Sequence, residues 1–234
     1  MPAISEALEK AKFTKFYVFL QAGCLPYSGT INYDHRHYNC DDWVNVSFSE
    51  FLDYVKPEII ILTARLSLFK ETLQPLPTTD LLKTDHATIE FHEKINNFAK
   101  HTKNLILISP IPDIDVDNVN VKHLKHLVKF RWHSPLTIAR ALHQGFSIKK
   151  YVIPWEFMYG ITHNPEVRLI TAISDCSNCH FLNTTKIYCN KQGCPLYDEN
   201  TKLGLFTDYS HLSNIGVKKL VEPIFSLIQN LTVI

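Results

Sequence analysis

The feature that most constrains this fold is an alternation of short, continuous apolar runs with helical patterns. The runs KFYVFLQA, EIIILTARL, NLILISPI and VRLITAI occupy residues 15–22, 58–66, 104–111 and 167–173. Strands that are buried on both faces have this uninterrupted apolar pattern, which is typical of a parallel sheet. The sequence therefore predicts an α/β chain with these four runs as parallel strands.

Helical patterns separate the four runs, and some of them carry start signals. Residues 47–50, SFSE, form a capping box, and Ser213 precedes the last amphipathic pattern. The predicted helices cover residues 2–12, 47–55, 80–101, 134–144 and 213–231. Between residues 113 and 162 no clean strand is legible, and we expect a helix there that packs Trp155 and Phe157 into the core. A doubly wound α/β sandwich follows, in which ligands bind beyond the carboxyl ends of the strands.

Size and charge narrow the classes of function. The 234 residues are 45% hydrophobic, with no linker or low-complexity segment, so residues 1–234 are predicted to form a single domain. The 24 Lys and Arg nearly balance the 23 Asp and Glu, which argues against nucleic acid as a partner. No apolar stretch approaches the roughly 20 residues of a membrane span, and the N-terminal pattern has no signal-peptide core.

Six cysteines lie in predicted loops and favour an oxidising compartment. Cys24 and Cys40 flank one loop, and four more crowd a second region: Cys176, Cys179, Cys189 and Cys194. An even number of loop cysteines indicates disulfides. The competing interpretation is a zinc site at the four clustered cysteines, with His180 as a further ligand. N-glycosylation sequons at Asn45, Asn183 and Asn230 agree with an extracytoplasmic location.

An aspartate and a histidine near the C-terminus have the spacing of two members of a hydrolytic triad. In the segment FTDYSHLSNIG, Asp208 and His211 are three residues apart, just before the last predicted helix. A histidine that acts as a general base needs a carboxylate to fix its tautomer and to stabilise the imidazolium as it forms. The spacing alone is weak evidence for a catalytic pair. The structural alternative is an aspartate that caps a turn beside a surface histidine.

Together these segments resemble the SGNH hydrolase domains that are fused to acyltransferase-3 membrane proteins, including the large nematode set. The resemblance rests on FTDYSHLSNIG and the preceding CPLYDEN, on GCLPY followed by Cys40 and Trp43, on KPEIIILTARLSLF and on NLILISPIP. The family pattern has tryptophan where this chain has Leu66. The resemblance covers nearly the whole chain and is most specific at Asp208 and His211.

The resemblance implies a three-layer, flavodoxin-like α/β/α sandwich and ester chemistry. The implied activity is O-acyl transfer to, or deacylation of, a hydroxyl on a carbohydrate or lipid acceptor, with Asp208 and His211 as catalytic residues. The implied partner is a transmembrane acyltransferase-3 domain in the same protein, on the extracytoplasmic or lumenal side of a membrane. No cofactor or metal is implied. A backbone N–H at Gly23 is the matching oxyanion donor, although a loop glycine required by geometry fits equally well.

The nucleophile of such domains lies in a Gly-Asp-Ser motif at the end of the first strand. Neither this motif nor a GxSxG elbow occurs in the sequence, and Ser28, Ser67 and Ser109 lack that turn chemistry. The chain opens with MPAISEAL, which matches the helix that follows the nucleophile. We therefore expect the first strand to be missing from this C-terminal portion, and the chain alone to be inactive. A non-catalytic glycan- or acceptor-binding module and a zinc-bound interaction domain are the alternatives.

Overall fold

A parallel sheet forms the centre of the molecule. The computed structural model describes residues 2–19, 48–64, 66, 71–110, 133–208 and 211–232. Within these residues the strands are β1 (Ile59–Thr63), β2 (Asn104–Ile108), β3 (Val152–Ile153), β4 (Cys179–Leu182) and β5 (Cys194–Pro195). The order β1-β2-β4 makes a parallel sheet, with Ile59 opposite Asn104 and Leu105 opposite Cys179. The short strands β3 and β5 pair separately and antiparallel.

Helices cover both faces of the parallel sheet. They are α1 (Pro2–Lys10), α2 (Phe48–Val55), α3 (His86–Ala99), α4 (Pro135–His143), α5 (Trp155–Ala172), α6 (Thr185–Tyr188) and α7 (Asn214–Thr232), with a 3-10 helix at Thr79–Thr84. Helix α1 packs on α7, and α3 packs on α5. The architecture is therefore the α/β sandwich with a parallel sheet that the sequence predicts.

Alternation along the central strand β2 divides the core into two parts. Leu105 and Leu107 point to one face, where they join Phe91 and Ile95 of α3. Ile106 and Ile108 point to the other face, in the cluster that contains α1 and α7. Phe91 and Ile95 are both fully buried, and burial of such a side chain contributes about 1.5–3 kcal/mol.

Local capping sets where the helices begin. Asp85 accepts a hydrogen bond from the Thr88 amide and starts α3, so the predicted helix 80–101 divides into a 3-10 turn and a shorter α-helix. Ser134 accepts from the Thr137 amide at 3.2 Å and starts α4. These caps satisfy amide groups that have no partner inside a helix. In the described ranges no helix combines the length and hydropathy needed to cross a bilayer.

The strand predicted at residues 167–173 is wrong, because this segment lies inside α5. Leu169 and Ala172, three residues apart, are buried, whereas Ile170 between them is 47% exposed. This is the burial pattern of a helix and not of a strand. The strand that takes the place beside β2 is β4, which begins with Cys179 and His180. A short run with these two residues does not have the apolar pattern of a buried strand.

The strand predicted at residues 15–22 is not formed in its described part. Residues 15–19 belong to neither sheet, and residues 20–22 lie outside the described residues. The side chains at positions 16–19, FYVF, are each 44–46% exposed. Tyr17 and Phe19 contact the Phe51 ring of the helix at Phe48–Val55 edge-on, with ring centroids 5.4 and 4.9 Å apart, so the described part of the segment packs on a helix.

The expectation for the α5 region is confirmed in part. A helix forms there, and Phe157 is 1% exposed within the core. Trp155, however, is 39% exposed and is not a core residue. The two positions differ because they lie two residues apart, which places them on different faces of a helix.

Candidate functional site

Asp208 and His211 meet in a tight turn before α7. Nδ1 of His211 lies 2.9 Å from each carboxylate oxygen of Asp208, and the His211 backbone N–H donates to the same carboxylate at 2.9 Å. A carboxylate is an acceptor only, so the Nδ1 that faces it carries the proton in the neutral ring. The side chains are 75% and 44% exposed for His211 and Asp208. The pair is therefore oriented and open to solvent.

The buried residues beside this turn fix its shape. The Thr207 amide donates to the His211 carbonyl at 2.9 Å, and Phe206 forms an isolated antiparallel β-bridge with Leu212. Phe206 is 2% exposed and packs within the core. Phe206 thus anchors the segment in the core, while the His211 side chain is exposed.

The start of α7 is held against the same segment. Ser213 donates its hydroxyl to the Gly204 carbonyl at 2.6 Å and accepts from the Gly216 amide at 3.2 Å. A Cβ atom at Gly216 would lie 2.2 Å from the backbone oxygen of Leu205. This close approach requires glycine, and it brings the helix up to the Asp208 turn.

A second aspartate, from the loop CPLYDEN, supports this region. Asp198 accepts from the Thr201 amide at 2.8 Å and from Lys219 of α7 at 2.8 Å. These hydrogen bonds from Lys219 and Thr201 hold the pKa of the Asp198 carboxyl well below its usual range. The loop that precedes the site is therefore attached to the helix that follows it.

Helix α6 connects the turn to the end of the sheet. The Tyr188 hydroxyl donates to the Gly216 carbonyl at 2.8 Å, and its ring centroid lies 6.2 Å from that of Phe206. Burial raises the pKa of the Tyr188 phenol well above its usual value. At neutral pH the phenol is a donor that positions the start of α7.

The arrangement can supply general base catalysis. With Nδ1 held by Asp208, the lone pair of His211 is on Nε2, and a nearby carboxylate stabilises the imidazolium that forms when Nε2 takes a proton. The contacts at 2.9 Å have the histidine–carboxylate geometry that such a reaction uses.

Several predicted site residues lie outside the described residues: Gly23, Cys24, Cys40 and Asn45. Asn230 is exposed near the end of α7. Asn183 donates its amide to Glu166 at 3.3 Å and accepts from the Lys186 backbone N–H at 3.1 Å. Ser109 is fully buried and accepts from the Thr184 amide at 2.8 Å, so it acts in the structure as a loop anchor.

The clustered cysteines form disulfides and not a metal site. Cys176 pairs with Cys179 at the start of β4, and Cys189 pairs with Cys194 between α6 and β5. His180 faces the Asn104 side chain, with Nε2 3.1 Å from its oxygen. Elsewhere in the described part, Glu71, His86 and Glu90 bring ligand atoms within 4.8 Å of one another. His86 is exposed and the two glutamates are half-buried, and Nδ1 of His86 lies 3.2 Å from a Glu71 carboxylate oxygen.

Sequence reasoning missed a pocket of about 570 Å³ between α5 and α6. Trp155, Tyr159 and His163 line it at the helical spacing of four residues, and Glu166 and Asn183 also line it. Burial raises the pKa of the Glu166 carboxyl, despite hydrogen bonds from Thr185 and others that oppose the rise. The available signal was the spacing of aromatic residues, which the strand assignment at 167–173 obscured.

Comparisons with known proteins identify a family and a similar fold. A family model described as "SGNH domain (fused to AT3 domains)" matches residues 1–225. The periplasmic domain of the Salmonella ser. Paratyphi A lipopolysaccharide acetyltransferase is similar in structure, with a TM-score of 0.54 and 17% sequence identity. The match covers 97% of this chain and 77% of the Salmonella chain. A comparison of the sequence with curated proteins gives no match.

Proposed function

Because the chain belongs to the family of SGNH domains that are fused to AT3 domains, we propose that it is the ester-processing part of an O-acyltransferase. The reaction is transfer or hydrolysis of an acyl ester on a carbohydrate or lipid hydroxyl. The observation that carries the proposal is the pair of 2.9 Å contacts between Nδ1 of His211 and the Asp208 carboxylate. This contact leaves Nε2 as the base that acyl transfer needs.

The proposed mechanism has two proton transfers at Nε2 of His211. Nε2 takes the proton of a serine hydroxyl while the serine oxygen attacks the acyl carbonyl, and the imidazolium returns the proton to the leaving oxygen. The acceptor hydroxyl, or water, then attacks the acyl-serine with the same base. Asp208 stabilises the charged ring in both steps. A backbone N–H at Gly23 is the proposed oxyanion donor, a type of contact worth about 3 kcal/mol in the transition state.

The nucleophilic serine of the family's Gly-Asp-Ser motif does not occur in this sequence. No Gly-Asp-Ser occurs in the 234 residues, and Ser109 is buried in hydrogen bonds to Thr184. We propose that a strand with the nucleophile completes the sheet, and that the 234-residue chain alone does not turn over.

The proposed setting is the extracytoplasmic or lumenal face of a membrane. Disulfides at Cys176–Cys179 and Cys189–Cys194 fit an oxidising compartment. The acyl donor reaches the domain, in this proposal, through a transmembrane AT3 domain of the same protein.

Hydrolysis of p-nitrophenyl acetate tests the proposal. The 234-residue chain is compared with a version extended at its N-terminus by a strand that ends in Gly-Asp-Ser. We expect turnover in the extended protein only, and a loss of at least about a thousandfold in kcat in both His211→Ala and serine-to-alanine variants.

Two results would contradict parts of this proposal. Turnover by the unextended chain that is lost in His211→Ala would show that its own residues provide the nucleophile. Turnover by the extended protein that survives His211→Ala would remove the Asp208–His211 pair from the mechanism. Folded extended protein without any turnover would favour the alternative of a non-catalytic glycan- or acceptor-binding module.

A further inference from the structure

The pocket between α5 and α6 lies where an α/β sheet presents ligands. Ser109 directly follows β2 and Asn183 directly follows β4, and the two loops are joined by the hydrogen bond from the Thr184 amide to Ser109 at 2.8 Å. The residues after Asn183 form α6 and line the pocket. The pocket is therefore at the carboxyl ends of parallel strands, the usual position of a ligand in such folds.

One wall of the pocket is an aromatic surface on α5. Trp155 and Tyr159 are 39% and 48% exposed, although both are large aromatic residues. Their ring centroids are 6.5 Å apart with an interplanar angle of 49°, and Tyr159 stacks on His163 at 4.1 Å. The Tyr159 hydroxyl also lies 3.0 Å from Nε2 of His163. This stack holds Tyr159 in one orientation and leaves apolar ring surface open to the pocket.

The floor of the pocket is polar. Glu166 accepts from Thr185 at 3.2 Å and from Asn183 at 3.3 Å. A carboxylate has about four lone-pair positions, so the same group can accept a further hydrogen bond from a ligand hydroxyl. Lys186 adds an exposed cation beside the pocket.

These features favour a sugar over an acyl chain. A pyranose has an apolar face of C–H groups that stacks on an aromatic ring, and hydroxyls at its edge that pair with carboxylates and amides. Glu166 keeps its bonds to Asn183 and Thr185 whatever fills the pocket, but an acyl chain would bury its remaining lone pair without a donor, whereas a sugar hydroxyl can donate to it. The volume of about 570 Å³ is within the range of ligand pockets.

We propose that this pocket binds a carbohydrate, with Trp155 and Tyr159 stacked on the sugar and with Glu166 and Asn183 bonded to its hydroxyls. Binding of the sugar at this pocket does not depend on the proposed acyl transfer.

The experiment is an NMR titration of the 234-residue chain, with the Trp155 indole N–H signal assigned by its loss in Trp155→Phe. The probes are cellotriose, N,N′-diacetylchitobiose and galactobiose, with dihexanoyl phosphatidylcholine as the lipid probe. At least one saccharide is expected to shift the signal at millimolar concentration. Trp155→Ala and Tyr159→Ala are expected to weaken its affinity by about tenfold each, as loss of an aromatic contact would.

One variant serves as a matched control. Tyr54→Ala removes an aromatic ring that is 86% exposed on α2 and outside the pocket, and it should leave the affinity unchanged. Sugar binding without ester turnover in the extended protein would contradict the acyl-transfer proposal and support the sugar-binding pocket. Ester turnover without binding of any saccharide would support the acyl-transfer proposal and contradict the sugar-binding pocket.

The proposal is overturned if no saccharide shifts the signal, if only the lipid does, or if binding survives both aromatic substitutions. Asn183 gives one more test, because its sequon would place a covalent glycan in the pocket. Mass spectrometry of protein from a eukaryotic secretory host is expected to find Asn183 unmodified. A glycan on Asn183 would also overturn the proposal.

Discussion

Two aspartate pairs in this molecule have opposite environments. Arg168 and Asp85 are 1% and 17% exposed in their side chains, and the two oxygens of Asp85 accept from Arg168 at 2.8 and 3.1 Å. His211 and Asp208 are 75% and 44% exposed, at 2.9 Å. Similar contact distances thus occur in a buried and in an open setting. Because the two pairs differ in position and not in contact distance, we expect the buried pair to contribute to stability and the open pair to be available for chemistry.

The buried pair joins separate parts of the chain. Arg168 in α5 also donates to the carbonyls of Thr72, Gln74 and Pro75. Burial alone would raise the pKa of Asp85, but hydrogen bonds from Arg168 and Thr88 and the Arg168 charge hold it below its usual value. Such a cation cannot be removed without leaving buried acceptors unpaired.

The largest expected effect is at Arg168. We expect Arg168→Met to lower the free energy of unfolding by about 3–5 kcal/mol, because it leaves Asp85 buried without its cation. Urea denaturation measures this, with Arg140→Met, an exposed arginine on α4, as the matched control. Equal effects of the two substitutions would mean that the buried pair has no special contribution.

Acid is expected to have an intermediate effect, through Asp85 and Asp198. Both carboxyl pKa values are lowered in the folded protein, so their stabilisation is present above the unfolded pKa of about 3.9 and is lost as the pH falls below it. Urea midpoints measured between neutral pH and pH 3 should therefore decrease at the acidic end.

Asp198→Asn isolates one of these two groups. The substitution should lower the free energy of unfolding at neutral pH by on the order of 1–2 kcal/mol and make its decrease in acid shallower. Asp80→Asn, at an exposed position, is the control. An unchanged acid profile in Asp198→Asn would show that the Asp198–Lys219 contact is not formed in solution.

The smallest effect on stability is expected at the exposed pair. His211→Ala should change the free energy of unfolding by less than about 0.5 kcal/mol, as surface substitutions usually do. Asp208→Asn should lower the fraction of His211 that carries its proton on Nδ1, which nitrogen-15 chemical shifts of the ring measure. Destabilisation by His211→Ala as large as that by Arg168→Met would make the pair structural and break the comparison.

Sequence patterns predicted much of this fold because a strand that is buried on both faces has a continuous apolar sequence. The runs that contain β1 and β2 are almost purely apolar. Ser134 and Ser213 are start signals that correctly indicate the helices after these two serines. The errors have a common cause. The run at 167–173 is apolar enough for a strand, but Arg168 within it is a buried cation whose acceptors lie on distant segments. The strand β4 was missed because Cys179 and His180 do not resemble a buried run.

The candidate site was predictable in one part only. Asp208 and His211 are three residues apart, so a single turn can bring their side chains together, and the pattern is legible without a structure. The pocket was not legible, because Trp155 and Glu166 meet Asn183 only after α5 has folded against the end of β4. Local spacing could not show that Trp155 would stay exposed while Phe157 is buried.

The sequence by itself determined the α/β class, the helix starts at Ser134 and Ser213 and the aspartate–histidine spacing, since each depends on neighbours within about one helical turn or on the apolar content of a short run. Tertiary structure alone decided which apolar run became a helix, which cysteines paired and where a ligand could enter. Those outcomes depend on contacts between residues far apart in the chain, and the sequence pattern does not record such contacts.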